Sequence, residues 1–201
     1  GSHHGCAVTV GGSVECWGLN LSGRLGNGTE QNQATPTPIA SSLTFASVFA
    51  VAPNRTCALT ALGEAYCWGV GNEGTLGYVP TQQSNVCAAF VGTCSTTPGR
   101  VQADVRFRSL GGGDWIACGI ATDGRTWCWG THAGGLRGIR SGVPSWTPTL
   151  HPTDLEFESI HSVGFTACGR ASSGSVHCWG DVSDWTAVYD FGPGVTFPLR
   201  F

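Results

Sequence analysis

Cys57-Ala-Leu-Thr-Ala-Leu-Gly-Glu-Ala-Tyr-Cys67-Trp68-Gly69 is a segment that this chain contains, in varied form, four times. Every copy has a cysteine, nine further residues and then Cys-Trp-Gly, and the copies occupy residues 6–18, 57–69, 118–130 and 168–180. Their first cysteines lie 51, 61 and 50 residues apart. Self-similarity at a period of about 50 residues is typical of stacked or circular repeats. The sequence therefore predicts a single repeat domain over residues 1–201.

Each copy forms a β-hairpin if the chain reverses at Leu62 or at its counterpart. This reversal places Cys57 opposite Cys67 and leaves a three-residue loop ending in Gly63, where glycine adopts a positive φ without steric cost. Directly opposed residues of an antiparallel pair have Cα atoms roughly 4.5 to 5.5 Å apart, a distance that a disulfide bridges. We therefore expect one disulfide in each hairpin: Cys6–Cys16, Cys57–Cys67, Cys118–Cys128 and Cys168–Cys178.

Two further cysteines, Cys87 and Cys94, lie in the second interval, which is the longest of the three. We expect an inserted loop over about residues 78–100, closed by a fifth disulfide. Zinc is the alternative for paired cysteines, but a structural zinc site favours two cysteines separated by two to four residues. Nine residues separate the cysteines of each repeat, so we predict disulfides and neither a metal site nor a cofactor.

Composition favours an extracytoplasmic β-protein. Five disulfides would pair all ten cysteines, which indicates an oxidising compartment, whether secreted, periplasmic or cell-surface. The net charge is −3 and all ten basic residues are arginines, which argues against a nucleic-acid partner because phosphates require a basic patch. No stretch of the sequence reaches 18 consecutive apolar residues, so no membrane-spanning helix is predicted. The chain has no methionine, so we expect a processed product or an excerpt of a longer protein.

The residues around each copy complete the repeat. Trp17-Gly18 is followed by Gly23-Arg-Leu25-Gly26 and then by a stretch rich in threonine and proline. A run of the form Phe-x-Ser-aliphatic stands 11 or 12 residues before each later repeat: Phe45-Ala-Ser-Val48, Phe107-Arg-Ser-Leu110 and Phe157-Glu-Ser-Ile160. Such runs place their large residues on one face of a strand. Each unit therefore offers three or four short strands, and no segment has a sustained helical period.

Three segments of the second repeat carry a resemblance to a known family: Cys57-Ala58-Leu59-Thr60, Tyr66-Cys67-Trp68-Gly69 and Gly74-Thr-Leu76-Gly77. They resemble the repeat of the regulator of chromosome condensation family, in the cysteine-rich form found in secreted bacterial proteins. The resemblance implies an all-β fold, a β-propeller in which each repeat supplies one four-stranded blade. That family typically has seven blades, whereas four repeats are visible here. We expect a propeller of about four disulfide-pinned blades, or a four-repeat part of a larger propeller.

The two ends of the sequence indicate how the first blade is completed. No Phe-x-Ser-aliphatic run precedes Cys6, while the chain ends with Val195-Thr-Phe-Pro-Leu-Arg-Phe201. We expect residues 195–201 to supply the strand that the first blade lacks. Within one chain this pairing closes a ring, and between chains it links subunits head to tail. Either arrangement covers a strand edge that would otherwise pair with neighbours.

Motifs of enzymes are not convincing in this sequence. Gly69-Val-Gly71-Asn-Glu-Gly74 matches the dinucleotide fingerprint G-x-G-x-x-G, but that motif requires a following helix, and none is predicted here. No G-x-S-x-G elbow occurs, and no histidine or cysteine stands in a nucleophile context. We therefore predict no catalytic residues and a protein that is not an enzyme.

Aromatic residues outside the Cys-Trp-Gly units are the candidates for partner binding. They fall in predicted loops or strand ends, and two of them stand beside an aspartate. The candidate residues are Asp114, Trp115, Trp146, Asp184 and Trp185. Exposed aromatics there would serve as hot spots for a protein or as stacking platforms for a sugar. The alternative is that they pack between blades. Three segments also match the N-glycosylation pattern N-x-[ST], beginning at Asn20, Asn27 and Asn54.

Three functions remain open from the sequence. The first is a non-enzymatic, extracytoplasmic interaction or structural module within a cell-surface or secreted assembly. Its partner is another protein or, alternatively, a second copy of this chain joined head to tail. The second is a soluble secreted protein that binds a glycan or inhibits an enzyme. The third is guanine-nucleotide exchange, which the family resemblance implies but which the disulfides and the lack of lysine oppose.

Overall fold

The computed structural model describes residues 3–80, 87, 92–131, 145–163, 166–180 and 195–196. Their strands fall into four units that follow one another along the chain, which we call blades 1 to 4. Blade 1 consists of β1 (His4–Val8), β2 (Val14–Gly18) and β3 (Gln33–Pro38), and blade 2 of β4 (Ser47–Ala52), β5 (Arg55–Leu59), β6 (Ala65–Val70) and β7 (Cys94–Arg100). Blade 3 consists of β8 (Phe107–Gly112), β9 (Ile116–Ala121), β10 (Thr126–Gly130) and β11 (Ser145–Leu150), and blade 4 of β12 (Phe157–Val163), β13 (Thr166–Ala171), β14 (Val176–Gly180) and β15 (Val195–Thr196). Two 3₁₀ turns, η1 (Leu21–Gly23) and η2 (Asn72–Gly74), follow β2 and β6.

The four Cys-Trp-Gly repeats form the hairpins that the sequence predicts. In each hairpin the two cysteines are directly opposed, as Cys57 and Cys67 are across β5 and β6. A disulfide joins each pair, and the Cα–Cα distances are 4.0 or 4.1 Å. The loops end in glycines of positive φ: Gly12, Gly63, Gly124 and Gly174. A fifth disulfide joins Cys87 to Cys94, so none of the ten cysteines is free.

The last described strands of blades 1 to 3, which are β3, β7 and β11, are rich in threonine and proline. Proline is tolerated there because an outer strand has one edge that needs no backbone donor. In blade 2 this strand is β7, which lies inside the region expected to be an inserted loop over residues 78–100. That expectation was too broad, because Tyr78 is also buried in the core. Residues Thr-Thr-Pro-Gly of β7 are typical of turns, which is why the sequence predicts a loop where the structure has an edge strand.

The blades stand side by side, with the apolar core between them. The first strand β8 contacts both β4 and β12, and β8 and β12 run parallel, with Gly112 beside His161. One Cys-Trp-Gly tryptophan fills each contact: Trp68 between blades 1 and 2, Trp129 between blades 2 and 3, and Trp179 between blades 3 and 4. Among the described residues, no strand of blade 1 packs extensively on blade 4. The four blades therefore form an arc of a β-propeller.

The described part of the C-terminal segment lies in blade 4. Residues 195–201 were expected to complete blade 1, but β15 pairs in parallel with β14, with Val195 beside Val176. Residues 197–201 lie outside the described residues. Blade 1 accordingly has three described strands, and one edge of β1 has no strand partner among them.

Candidate protein-interaction turn between β8 and β9

The turn between β8 and β9 carries two of the predicted partner-binding residues, Asp114 and Trp115. Asp114 is exposed, and Trp115 is 38% exposed, unlike the fully buried Trp68 and Trp129. An exposed tryptophan is a candidate contact residue because tryptophan is enriched in binding hot spots. The turn therefore presents an acidic and an aromatic side chain together.

A buried arginine from the neighbouring blade holds this turn. Arg55 is the first residue of β5 in blade 2, and its side chain is fully buried. Its Nη2 donates hydrogen bonds to the carbonyl oxygens of Gly113 and Ile116, the second at 3.2 Å. These two carbonyls flank Asp114 and Trp115, so Arg55 fixes both ends of the exposed pair.

Burial also sets the electrostatics of Arg55. Removal from water lowers the pKa of its guanidinium to about 10, and the negative charge of Asp114 acts in the opposite direction. The side chain is thus charged at neutral pH. Its Nε and Nη1 atoms are buried and make no hydrogen bond within the described part of the chain. Because an unpaired buried charge is costly, the two carbonyls and the charge of Asp114 are what offset the cost of burying Arg55.

Close backbone contacts keep the turn in place. The N–H of Gly113 donates to the carbonyl of Ile116 at 3.0 Å, and the N–H of Thr131 donates to the carbonyl of Trp115 at 2.9 Å. A Cβ at Gly113 would lie 2.6 Å from the backbone oxygen of Ser162 in blade 4, so a larger residue does not fit there. Blades 2, 3 and 4 therefore all contribute to the position of this turn.

The other predicted binding residues are not part of this turn. Trp146 is half-buried on the outer strand β11, where η2 of blade 2 packs against its backbone. A Cβ at Gly74 would lie 2.9 Å from the Cα of Trp146. Asp184 and Trp185 lie outside the described residues. The structure thus brings Asp114 and Trp115 together and places Trp146 at a blade contact.

Sequence reasoning missed Arg55. Its position stands two residues before the first cysteine of the repeat, where the other copies have His4, Ile116 and Thr166. A charged residue in a strand that is buried throughout, as β5 is, signals a specific partner. Alignment of the four copies would have singled out this position, but not the turn that it holds.

The contact between blades 1 and 2 and the contact between blades 2 and 3 share one further arrangement. The indole Nε1 of Trp68 donates to the carbonyl of Arg24 at 2.9 Å, and that of Trp129 donates to the carbonyl of Thr75 at 3.1 Å. Both acceptors lie in the Gly-x-Leu-Gly segment of the preceding blade. The backbone of Gly26 packs directly against the indole ring of Trp68, because a Cβ at this position would lie only 2.5 Å from the Trp68 Nε1.

Blade 1 presents the same surface, and no described residue covers it in this way. Trp17 is half-buried and makes no hydrogen bond among the described residues. It lies beside β1, whose outer edge has no described strand partner. We call Trp17 and this edge the blade 1 face.

The described residues offer little for other functions. A cleft of about 320 Å³ lies between the β9–β10 turn and the segment 150–156, and its lining includes Asp123, Asp154 and Glu156. Arg125 pairs with Asp123 at 2.7 Å. Within the described part of the chain, no three His, Cys, Asp or Glu side chains are grouped so as to hold a metal ion. No helix found there has the length and apolar character needed to cross a membrane.

Fold and contacts together define a β-propeller repeat protein. The family model for the regulator of chromosome condensation (RCC1) repeat matches residues 11–58. The human E3 ubiquitin-protein ligase HERC2 is 31% identical over 133 residues, which cover 64% of this chain and 3% of that protein. The ultraviolet-B receptor UVR8 of Arabidopsis thaliana is 37% identical over 78 residues, 38% of this chain and 18% of the receptor. The chain thus carries an RCC1 repeat over residues 11–58 and is similar to RCC1 repeat proteins over a larger part of its length.

Solved structures support the same fold. Yeast RCC1 (Prp20), in its complex with Kap60, superposes with a TM-score of 0.69 at 18% identity, covering 89% of this chain and 42% of that chain. The ectodomain of the receptor kinase CR4 from Physcomitrella patens gives a TM-score of 0.51 at 23% identity, covering 92% of this chain and 40% of that chain. The chain thus spans well under half the length of these structures, and only a small part of HERC2 and UVR8.

Proposed function

We propose that this chain is a non-enzymatic, extracytoplasmic protein-interaction module whose partner binds the Asp114–Trp115 turn. The observation that carries the proposal is the buried Arg55, which fixes a turn that exposes a tryptophan. Tryptophan is among the residues most enriched in binding hot spots. A turn held in place before binding also loses little conformational entropy when the partner arrives.

Relatives of the same fold support a role in protein binding. The yeast protein RCC1 (Prp20) has been crystallised with Kap60, and a second study of Prp20p describes binding to Gsp1p and histones. These partners are those of the yeast protein. For this chain, the adjacent Asp114 favours a partner that presents a cationic group next to an apolar one. Such a group would pair with the carboxylate while contacting the face of Trp115.

Five disulfides support an extracytoplasmic location. Disulfides form and persist mainly in oxidising compartments, and all ten cysteines of this chain are paired. The structural relative CR4 is described as the ectodomain of a receptor kinase, which shows the same fold in an extracellular protein. Other relatives differ, since RUG3 of Arabidopsis thaliana is named as mitochondrial. The proposed location therefore rests on the cysteines.

The test compares Trp115→Ala with a matched control, Leu62→Ala. Leu62 is 74% exposed at the β5–β6 tip, which lies at the opposite end of the strands from the β8–β9 turn. Partners are captured on the immobilised chain from the extracytoplasmic fraction of the producing organism, and the affinity of the principal protein is then measured for both variants. Loss of a hot-spot side chain costs about 2 kcal/mol or more, roughly a 30-fold loss of affinity.

Only Trp115→Ala is expected to show this loss. If Trp115→Ala binds the partner as tightly as the unchanged chain, the turn is not the binding site and the proposal is refuted. Retention of a glycan on an array, with no protein captured, would instead favour the secreted glycan-binding alternative. Acceleration of guanine-nucleotide release from a GTPase would favour the third function.

The blade 1 face favours a second candidate function, which is assembly. In blades 2 and 3 the surface equivalent to Trp17 is covered by a Gly-x-Leu-Gly segment that accepts the indole hydrogen bond. A second chain that docks head to tail would cover Trp17 and pair with the edge of β1. Light scattering over a range of concentrations tests this candidate. A mass that grows with concentration supports it, and a constant mass of 20.9 kDa excludes it.

A further inference from the structure

The three N-x-[ST] segments have different environments, and the first is closed to modification. Asn20 is fully buried. Its Nδ2 donates to the carbonyl of Thr29 at 2.8 Å and to Oδ1 of Asn27 at 3.2 Å, while its Oδ1 accepts from the N–H of Leu25 at 2.9 Å. A sugar on this Nδ2 would displace these bonds and the core around them. The folded chain therefore does not present Asn20.

The third segment is closed at its hydroxyl residue. Asn54 is half-buried, but Thr56, the threonine of its pattern, is fully buried in β5. The Thr56 hydroxyl donates to the carbonyl of Arg24 at 2.9 Å and lies 2.8 Å from Nε2 of His4. An enzyme that must engage both the asparagine and the hydroxyl cannot reach this pair in the folded chain.

The second segment is open at both residues. Asn27 is half-buried, and Gly28 and Thr29 are exposed. Oδ1 of Asn27 accepts from the N–H of Thr29 at 3.1 Å and from its hydroxyl at 2.9 Å. The Nδ2 of Asn27 makes no hydrogen bond to any described residue and is not fully buried. The nitrogen that would receive a sugar is thus available, while the amide oxygen is already held.

This local geometry favours reaction at Asn27. Hydrogen bonds donated to an amide oxygen draw electron density from the nitrogen and make its N–H more acidic. Attachment of a sugar to Nδ2 leaves Oδ1 with all three of its hydrogen bonds, including the one from Asn20. Modification therefore costs none of the contacts that order this loop, in contrast to modification of Asn20.

We propose that Asn27 is an N-glycosylation site. In this reaction Nδ2 of Asn27 forms a bond to the anomeric carbon of a lipid-linked oligosaccharide. The bond from that carbon to the phosphate oxygen breaks, the lipid pyrophosphate leaves with the electron pair, and Nδ2 loses one proton. Glycosylation in the producing cell rests on the proposed extracytoplasmic location. Whether Asn27 can be glycosylated in the folded chain does not depend on that location.

The experiment uses the folded, oxidised full chain with a purified oligosaccharyltransferase and a lipid-linked oligosaccharide. The intact mass is expected to increase by one glycan, and peptide mapping is expected to place it on Asn27. N27Q and T29A should stay unmodified, while T29S, which retains the hydroxyl, should accept the glycan. N54Q is the matched control, because it removes a different N-x-[ST] pattern and should be modified like the unchanged chain.

The reduced and unfolded chain confirms that enzyme and donor are active, since all three segments are then accessible. A folded chain that stays unmodified under these conditions would overturn the proposal. A glycan that maps to Asn54 or Asn20 on the folded chain would do so as well. Neither result bears on the compartment, which is tested separately by locating the protein in its producing cell.

Discussion

The contact between blades 2 and 3 and the contact between blades 3 and 4 have the same backbone and different side chains. Val101 and His151 hold equivalent positions, six residues before the first-strand phenylalanine of the next blade. Each donates its backbone N–H to the third strand of its own blade, at 2.9 and 2.8 Å. Val101 packs in the core that contains Trp129, whereas the ring of His151 lies 4.6 Å from the ring of Trp179.

The two contacts thus share the backbone of the repeat but differ in polarity. Val101 has no polar side-chain atom to satisfy. Both ring nitrogens of His151 are buried and make no hydrogen bond to any described residue, and an unsatisfied buried polar group costs free energy. The contact between blades 3 and 4 therefore has the same backbone geometry as the contact between blades 2 and 3, but it contributes less to the stability of the fold.

The largest effect is expected from the tryptophan that the blade contacts share. Trp129→Ala should destabilise the chain by about 3 to 5 kcal/mol, because it removes a fully buried ring from a packed core. Trp17→Ala should cost about 1 kcal/mol or less, because Trp17 is half-buried and has no such cover. Unfolding in urea with the disulfides intact measures both changes in free energy.

Trp68→Ala is the matched control, since Trp68 is as fully buried as Trp129 and makes the same kind of hydrogen bond. The two buried tryptophans should give similar losses. If Trp17→Ala destabilises the chain as much as Trp129→Ala, the distinction between the covered contacts and the blade 1 face is wrong.

Sequence reasoning succeeded where structure depends on near neighbours. The hairpins and their disulfides follow from nine intervening residues and a loop glycine, all within one short segment. The role of Arg55 could not be predicted in this way, because its acceptors at Gly113 and Ile116 are 58 and 61 residues away. The exposure of Trp115 and the burial of the other tryptophans likewise depend on which blade packs against which.

His151 itself could be located from the sequence but not interpreted. Alignment of the repeats places it opposite Ile39 and Val101, both aliphatic. That alignment indicates a core position. The absence of any hydrogen-bond partner for its ring depends on the packing of blade 4, which the residues around His151 do not encode.

A smaller effect, limited to acidic pH, is expected from His151. Burial lowers the pKa of its imidazole from 6.5 to about 4, so the folded chain keeps it neutral where the unfolded chain binds a proton. Stability is therefore lost as the pH falls from about 6.5 towards 4. The shift corresponds to about 3 kcal/mol at most. Thermal unfolding between pH 7.5 and pH 4.5 measures the loss.

His151→Val is the decisive variant, because valine fills the equivalent position in blade 2. It should remove this part of the pH dependence and leave the fold intact. The dependence that remains belongs to other groups, including His4, whose pKa burial also lowers to about 4. His4 lies at the contact between blades 1 and 2, with its Nε2 2.8 Å from the Thr56 hydroxyl. An unchanged pH dependence in His151→Val would instead show that the folded chain protonates His151 as readily as the unfolded chain does, so that burial of this ring costs no stability in acid.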